Sequence, residues 1–298
     1  MNLRDLQYLL AVYEFNNFSK AAEKCFVSQP TLSGQLKKME EELGAPLMER
    51  STRQVIFTEL GEQIVEKARQ VSITVEQIKM LAKESKDPLS GDFHLGLIPT
   101  IGPFLLPIIM PLLSEKLPKL NVYLHELQTD QLIAKLLKGE LDAGILAKMD
   151  WDLPVVEYSL YQEKFMLALQ SNDPIAIKNK QVKANVLRGR DVLMLEDGHC
   201  LRDQALGVCF AAGANEDQRF KATSMDTLLH MVATGAGMTL VPELACQQKV
   251  NEVTYLPFTK PSPSREVVLL SRKSYVRQTA IQRFVEIVQQ ATTQDLSG

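Results

Sequence analysis

Apolar side chains recur at helical spacing through the first eighty-five residues. Leu3, Leu6, Leu9, Leu10 and Tyr13 return every three or four positions, predicting an amphipathic helix that ends near Asn16 and Asn17. A second helix starts at Ser19, where Ala21 and Ala22 are small enough to let another helix cross closely. The third follows almost at once. Ser28 is a good N-cap, Pro30 is tolerated in the first turn, and Leu32, Leu36, Met39 and Leu43 share one face until Gly44 stops the helix. From Thr58 to Ser85 the positions Leu60, Ile64, Ala68, Val71, Val75, Ile78 and Leu81 alternate steps of four and three, which predicts one long helix with a single apolar seam. A small N-terminal domain cannot bury that seam, so a helix from a second subunit is its expected cover. Lys86 to Gly91 breaks the pattern and reads as a hinge.

Beyond the hinge, short apolar runs alternate with helical segments. Phe93–Ile98, Asn121–Glu126, Ala143–Leu146, Val192–Leu195 and Met238–Val241 are the expected strands of an α/β domain, whose order in a sheet does not follow from spacing. The longest apolar stretch, Leu95 to Leu113, is broken by Pro99, Pro103, Pro107 and Pro111 and makes a poor membrane helix. The N-terminus runs straight into a helical pattern, without the layout of an export signal. A cytoplasmic protein with no membrane partner is expected. Its 298 residues, 45% apolar and 23% charged, suffice for two folded units.

Net charge, −3, says nothing for nucleic acid, and in residues 1–58 seven Lys and Arg offset seven Asp and Glu. Local placement says more. Gln29, Pro30, Thr31, Ser33, Gly34 and Lys37 gather short or hydrogen-bonding groups at the N-terminal half of the third helix, while Glu40, Glu41 and Glu42 sit at its other end. A recognition helix enters the major groove of DNA with that N-terminal half, and its dipole there favours phosphate. Arg50 to Phe57 reads as a short ribbon, a wing whose Arg50 and Arg53 would contact backbone phosphates.

Cysteine and histidine add less by themselves. A reducing cytosol argues against permanent disulfides among Cys25, Cys200, Cys209 and Cys246. Two cysteines nine apart are by default small buried hydrophobes. Cys25 reads as core, and nothing gives Cys246 a partner. His94 and His125 alternate with apolar residues in strands and read as structural; no histidine has metal-ligand spacing, so neither metal nor cofactor is expected.

The run AAEKCFVSQPTLSGQLKKMEEELGAPLMER resembles the winged helix-turn-helix of LysR-type regulators, where Val-Ser-Gln-Pro opens the recognition helix. GLIPTIGPFLLP, HELQTDQL and above all EDGHCLRDQALGVC resemble the peroxide-sensing branch of that family, as does Gly34 after Ser33. The resemblance implies an N-terminal all-α winged helix-turn-helix (1–58), a linker and dimerisation helix with hinge (59–91), and a redox-sensing α/β effector domain (92–298). The effector would comprise two Rossmann-like subdomains similar to periplasmic binding proteins, 92–161 with 266–298 and 162–265. It further implies a homodimer or homotetramer on promoter DNA, oxidation by hydrogen peroxide, recruitment of RNA polymerase, and an activator's role.

Under that resemblance Cys200 is the peroxide-reactive thiol. A thiolate is the reactive form, favoured by positive charge and helix N-termini; Cys200 follows a strand and the Asp197-Gly198 turn, with His199 and Arg202 beside it, and the resemblance adds Arg265. Thr100, Thr129, His199 and Cys200 form the implied peroxide site. The first two also follow apparent strands, whose ends converge on one crevice in an open α/β sheet. Cys209 is the implied resolving thiol. If the intervening residues are helical, the two cysteines stand about 13 Å apart, whereas a disulfide needs Cα atoms within roughly 7 Å. Bond formation would require that segment to unwind, with Gly207 easing the change. Glutaredoxin or thioredoxin is the expected reductant. Two rivals stand beside this reading: a LysR-type regulator answering a metabolite, and a thiol peroxidase using Cys200 as its nucleophile.

Overall fold

The computed structural model describes residues 1–50, 55–84 and 87–295, and the chain separates into two compact units, Met1–Ser85 and Lys86–Gly298. In the first, α1 (Leu3–Phe15) begins with a capping box: Asn2 Oδ1 accepts from the amides of Arg4 and Asp5, and the Asp5 carboxylate accepts from the amide of Asn2. The left-handed Asn16 ends it, and Asn17 caps α2 (Phe18–Lys24). Ser28 caps α3 (Gln29–Leu43), which Gly44 terminates. Ala21 and Ala22 are buried with Leu9, Val12, Leu32, Leu36 and Met39, so the close helix crossing expected from the alanines forms the core.

A two-stranded antiparallel ribbon follows, β1 (Met48–Arg50) with β2 (Val55–Phe57). Glu40 holds its base by accepting from the amides of Leu47 and Met48. The expected wing falls here; Arg53 and the side chain of Arg50 lie outside the described residues. Helix α4 (Glu59–Glu84) then runs for 26 residues. Of the expected seam Ala68 is buried and Ile64 and Val75 are half-buried, whereas Leu60, Val71 and Ile78 are exposed. Gly61 seats this helix on the ribbon, because a Cβ there would stand 2.0 Å from the carbonyl oxygen of Leu47.

In the second unit β3 (Gly91–Leu97), α5 (Gly102–Lys116), β4 (Leu120–Glu126), α6 (Thr129–Leu137) and β5 (Ala143–Ala147) form a parallel α/β layer in the order β5-β3-β4. Proline does not stop α5. Pro103, Pro107 and Pro111 are four apart and exposed, so the carbonyls they leave unpaired face solvent while Phe104, Leu105, Ile109 and Leu113 face the core. Among the described residues no helix is long and apolar enough to cross a membrane.

The chain next makes β6 (Val155–Gln170), a 16-residue strand that the apolar pattern does not reveal, because its polar residues fall irregularly as it passes between two packing environments. Then come α7 (Pro174–Lys178), β7 (Asp191–Leu195), α8 (Cys200–Ala212), β8 (Asn215–Ala222), α9 (Met225–Ala233), β9 (Thr239–Pro242), β10 (Val253–Pro257), β11 (Ser264–Arg272) and α10 (Gln278–Asp295). The first half of β6 pairs antiparallel with β11, and its second half with β10 and β9. Since β11 also pairs with β5, these two strands join the parallel layer to the β7–β10 half. Arg277 fastens the C-terminal end to the beginning of β3 by donating to the carbonyls of Ser90 and Asp92.

The Gly61 contact yields a test. Gly61→Ala pushes a methyl into backbone that has no free rotamer with which to yield, and overpacking of this kind costs about 1–3 kcal/mol. Chemical denaturation of the full chain is expected to show that loss in the N-terminal unit; unchanged stability would mean α4 and the ribbon separate without cost.

Candidate functional site

Four chain segments meet at one end of the parallel strands. Thr100 follows β3, Thr129 opens α6 after β4, His199 and Cys200 open α8 after β7, and Arg265 lies near the start of β11. All are buried: Thr100 2% exposed, Thr129 7%, His199 5%, Cys200 4% and Arg265 3%. Gly198 lets two of these turns approach. Its φ of 94° is a left-handed conformation, and a Cβ would come within 3.0 Å of the Gln128 side chain, which precedes Thr129.

Arg265 organises the interior of this site. Its Nε donates to Glu163 Oε2 at 2.8 Å, its Nη2 to the Thr100 carbonyl at 3.0 Å, and its Nη1 to Thr100 Oγ1 at 3.3 Å. Glu163, 1% exposed in its side chain, also accepts from the Leu244 amide at 3.1 Å. Burial opposes the guanidinium charge, but the carboxylate of Glu163, followed by Tyr161 and Cys200, more than restores it and raises the Arg265 pKa. The cation thus stands within electrostatic reach of the Cys200 sulfur.

Several buried polar atoms here lack partners among the described residues: Thr129 Oγ1, His199 Nε2 and Tyr161 Oη. Leaving such atoms unpaired costs roughly 1–3 kcal/mol each. Buried polar atoms left unpaired in this way suit a small, polar ligand able to donate and accept. His199 is the N-cap of α8 yet makes no side-chain cap bond, so the helix N-terminus also faces this region.

Cys209 belongs to a different environment. It lies 1% exposed among Leu167, Val192, Met194 and Ala205, and desolvation by that apolar cluster pushes its pKa up to about 12. Both thiols are free, and α8 runs unbroken from Cys200 to Ala212. Nine residues at helical rise are about 13 Å, beyond disulfide reach.

The first unit matches the family description "Bacterial regulatory helix-turn-helix protein, lysR family" over residues 3–62, and the second matches "LysR substrate binding domain" over residues 86–293. The chain belongs to the LysR family. This LysR-family chain is 50% identical over 274 residues to the hydrogen peroxide-inducible genes activator of Dickeya chrysanthemi, covering 91% of this chain and 90% of that one. Among solved structures it resembles a variant of full-length OxyR from Pseudomonas aeruginosa, with TM-score 0.79, 34% identity and coverage of 97% and 94% of the two chains. A hydrogen-peroxide-bound variant of Corynebacterium glutamicum OxyR superposes with TM-score 0.69 at 31% identity, over 99% of this chain and 94% of that one.

Within the LysR-family chain, Thr100, Arg265 and Cys200 are brought together, with Thr129 and His199 supplying unpaired polar atoms. Arg202 is directed elsewhere. Its guanidinium meets Glu216 at 2.9 Å, Asp197 at 3.1 Å and Asp203 at 3.8 Å, so its charge is already balanced by carboxylates. Glu163 and Tyr161 carry no local signal in the sequence. Only the β6–β11 register, which sets Glu163 opposite Arg265, exposes them. Cys246 does have a partner: its sulfur donates to the Pro242 carbonyl at 3.6 Å, and burial, then Glu163, pushes its pKa up to about 12. The His94 and His125 rings meet at 3.1 Å between Nδ1 and Nε2, and burial, then His94, lowers the pKa of His125. On α3, Gln29, Pro30, Thr31, Gly34 and Lys37 are exposed and Ser33 is half-buried.

Two outcomes follow from these groups. Glu163→Ala leaves the Arg265 charge buried without its carboxylate, and breaking such a pair costs about 3–5 kcal/mol; denaturation of the reduced protein is expected to show that loss, with partial recovery in Glu163→Ala/Arg265→Met. A stable single variant would show that the pair is not an essential support. For Cys209, the folded pKa of about 12 lies above the ordinary 9.0, so its protonated form favours the fold: that stability is complete below pH 9 and disappears as pH rises toward 12. Stability measured against pH should therefore fall across this window, and fall less steeply in Cys209→Ala.

Proposed function

We propose that this chain is a DNA-binding transcription regulator that detects hydrogen peroxide at Cys200 and stores the signal as a Cys200–Cys209 disulfide. The observation carrying this reading is the placement of Cys200 at a helix N-terminus, within reach of the buried Arg265 cation and beside unpaired polar groups. Similarity to peroxide-inducible activators and to a peroxide-bound structure supports it. Thr100, Thr129 and His199 would hold peroxide through directed hydrogen bonds, since a molecule so small and polar offers little apolar surface to a shaped pocket.

The chemistry balances without a cofactor. Cys200 thiolate attacks one peroxide oxygen, the O–O bond breaks, and hydroxide takes up a proton and leaves as water; Cys200 is now a sulfenic acid. Cys209 then attacks that sulfur as its thiol proton is lost, the S–O bond breaks, and a second water leaves. Peroxide has been reduced by two electrons and the two thiols oxidised to one disulfide. Arg265 supports the reacting thiolate electrostatically, while Arg202 acts on it only through the arrangement of the turn before α8. Because α8 holds the sulfurs apart, the second step requires α8 to open, and that refolding is the output.

For the first unit we assign DNA contacts to Gln29, Pro30, Thr31, Ser33, Gly34 and Lys37 in the major groove and to Arg50 and Arg53 on phosphates. The exposed part of the α4 seam, Val71 and Ile78, supports pairing of two subunits. Assembly to a tetramer, contact with RNA polymerase and reduction by glutaredoxin or thioredoxin complete the proposal. So do the divisions 1–58, 59–91 and 92–298, with effector halves meeting near 162 and 265.

Peptide mapping tests the chemistry. After about one equivalent of peroxide, blocking of free thiols and tryptic cleavage at Arg202, the peptides bearing Cys200 and Cys209 should remain joined, and Cys200→Ser should abolish the pair. An unmodified Cys200 would instead indicate a regulator answering a metabolite. Continued peroxide turnover with a dithiol, without any change in DNA binding, would indicate a peroxidase.

A further inference from the structure

Cys25, Phe26 and Val27 make the turn between α2 and α3. Cys25 and Val27 both pack against the core of the first unit. The turn is fixed by bonds from the Phe26 amide to the Glu23 carbonyl at 3.1 Å and from the Val27 amide to the Ala22 carbonyl at 3.0 Å. These are the paired bonds of a Schellman closure, with Phe26 at its left-handed position, φ 55°. Glycine or asparagine normally occupies that position, because other side chains crowd the backbone there; a bulky aromatic is an outlier.

Burial does not compensate. Phe26 is 95% exposed, more than any other large apolar side chain described. A strained residue retained without benefit to the core points to a role outside it. Its location narrows that role: Phe26 stands two residues before Ser28, the N-cap of α3, and so at the end of α3 where Gln29, Pro30 and Thr31 are exposed.

We infer that Phe26 is a base-reading residue that lays its ring on the C5-methyl group of a thymine at the edge of the site entered by α3. This inference rests on the DNA-binding reading above. Phenylalanine has no donor to offer a phosphate, whereas the thymine methyl is the apolar group on the major-groove floor. The contact would add sequence preference at a position beyond the reach of the polar residues of α3, leaving the phosphate contacts as they are.

The test uses the full-length reduced protein and a duplex enriched by it from a random-sequence pool. Phe26→Asn suits the left-handed backbone, so its thermal midpoint should equal or exceed that of the unaltered protein. Its affinity for the enriched duplex should fall roughly 5- to 100-fold, the range of one specific base contact. Binding to mixed-sequence duplex, and the slope of affinity against salt, should not change, since no phosphate contact is removed. Replacing thymines one at a time by deoxyuridine removes the methyl group; at one position per half-site this should weaken the unaltered protein and leave Phe26→Asn unaffected. Affinity of Phe26→Asn within twofold of the unaltered protein would overturn the inference alone. So would intact DNA binding with lost transcriptional activation, which would place Phe26 on a protein partner. If the unaltered protein enriches no sequence, the DNA-binding reading itself fails and takes this inference with it.

Discussion

A buried charge must be matched where it sits, and the second unit is arranged around one such match. Arg265 and Glu163 are cross-strand partners on β11 and β6, each almost fully removed from water. Desolvating two ions is costly, and replacement by apolar residues is often no less stable, so stability alone does not explain the pair. Position does. It stands where β6 changes partners from β11 to β10 and β9, and the same guanidinium reaches Thr100 and influences Cys200. One ion pair therefore fixes the strand crossing, orders the turn after β3 and presents positive potential to a sulfur.

The second constraint is distance. One continuous helix contains both Cys200 and Cys209, but its ends occupy unlike surroundings: polar and charged at the first, apolar at the second. Burial that keeps Cys209 protonated also makes it a poor competitor for peroxide. In the proposed chemistry, environment would assign the reaction order: Cys200 would react first, and Cys209 would become useful only after leaving its apolar packing.

Local elements were legible wherever one physical signal dominated. The caps at Ser28 and Gly44, the small pair Ala21-Ala22 and the five short strands follow from side-chain chemistry or a clear apolar run. Strand β6 was not legible, because its two halves pack against different neighbours and no single period describes it. Helix α5 accommodates prolines that disfavour a helix interior, because each lies on the solvent side. In the site, Cys200, His199 and Arg265 were all found through the family resemblance; local sequence alone placed Cys200 and His199 after a strand and turn, where a helix begins. Glu163 depended on a pairing across more than a hundred residues of chain, and the competition of three carboxylates for Arg202 was equally hidden.

Separation of the two sulfurs by an intact helix has a temporal consequence. In the proposed chemistry two processes would compete for a Cys200 sulfenic acid: opening of α8, whose rate belongs to the protein, and attack on a second oxidant molecule, whose rate grows with oxidant concentration. At low flux the helix would open first and each event would be recorded reversibly. At high flux the second oxidation would overtake it and convert the sulfur to a form that no disulfide exchange can recover. The opening rate of α8 would thus set an upper limit to the sensor's working range, as the reactivity of Cys200 would set the lower one, and a helix made more stable would lower that ceiling while leaving detection at trace levels intact.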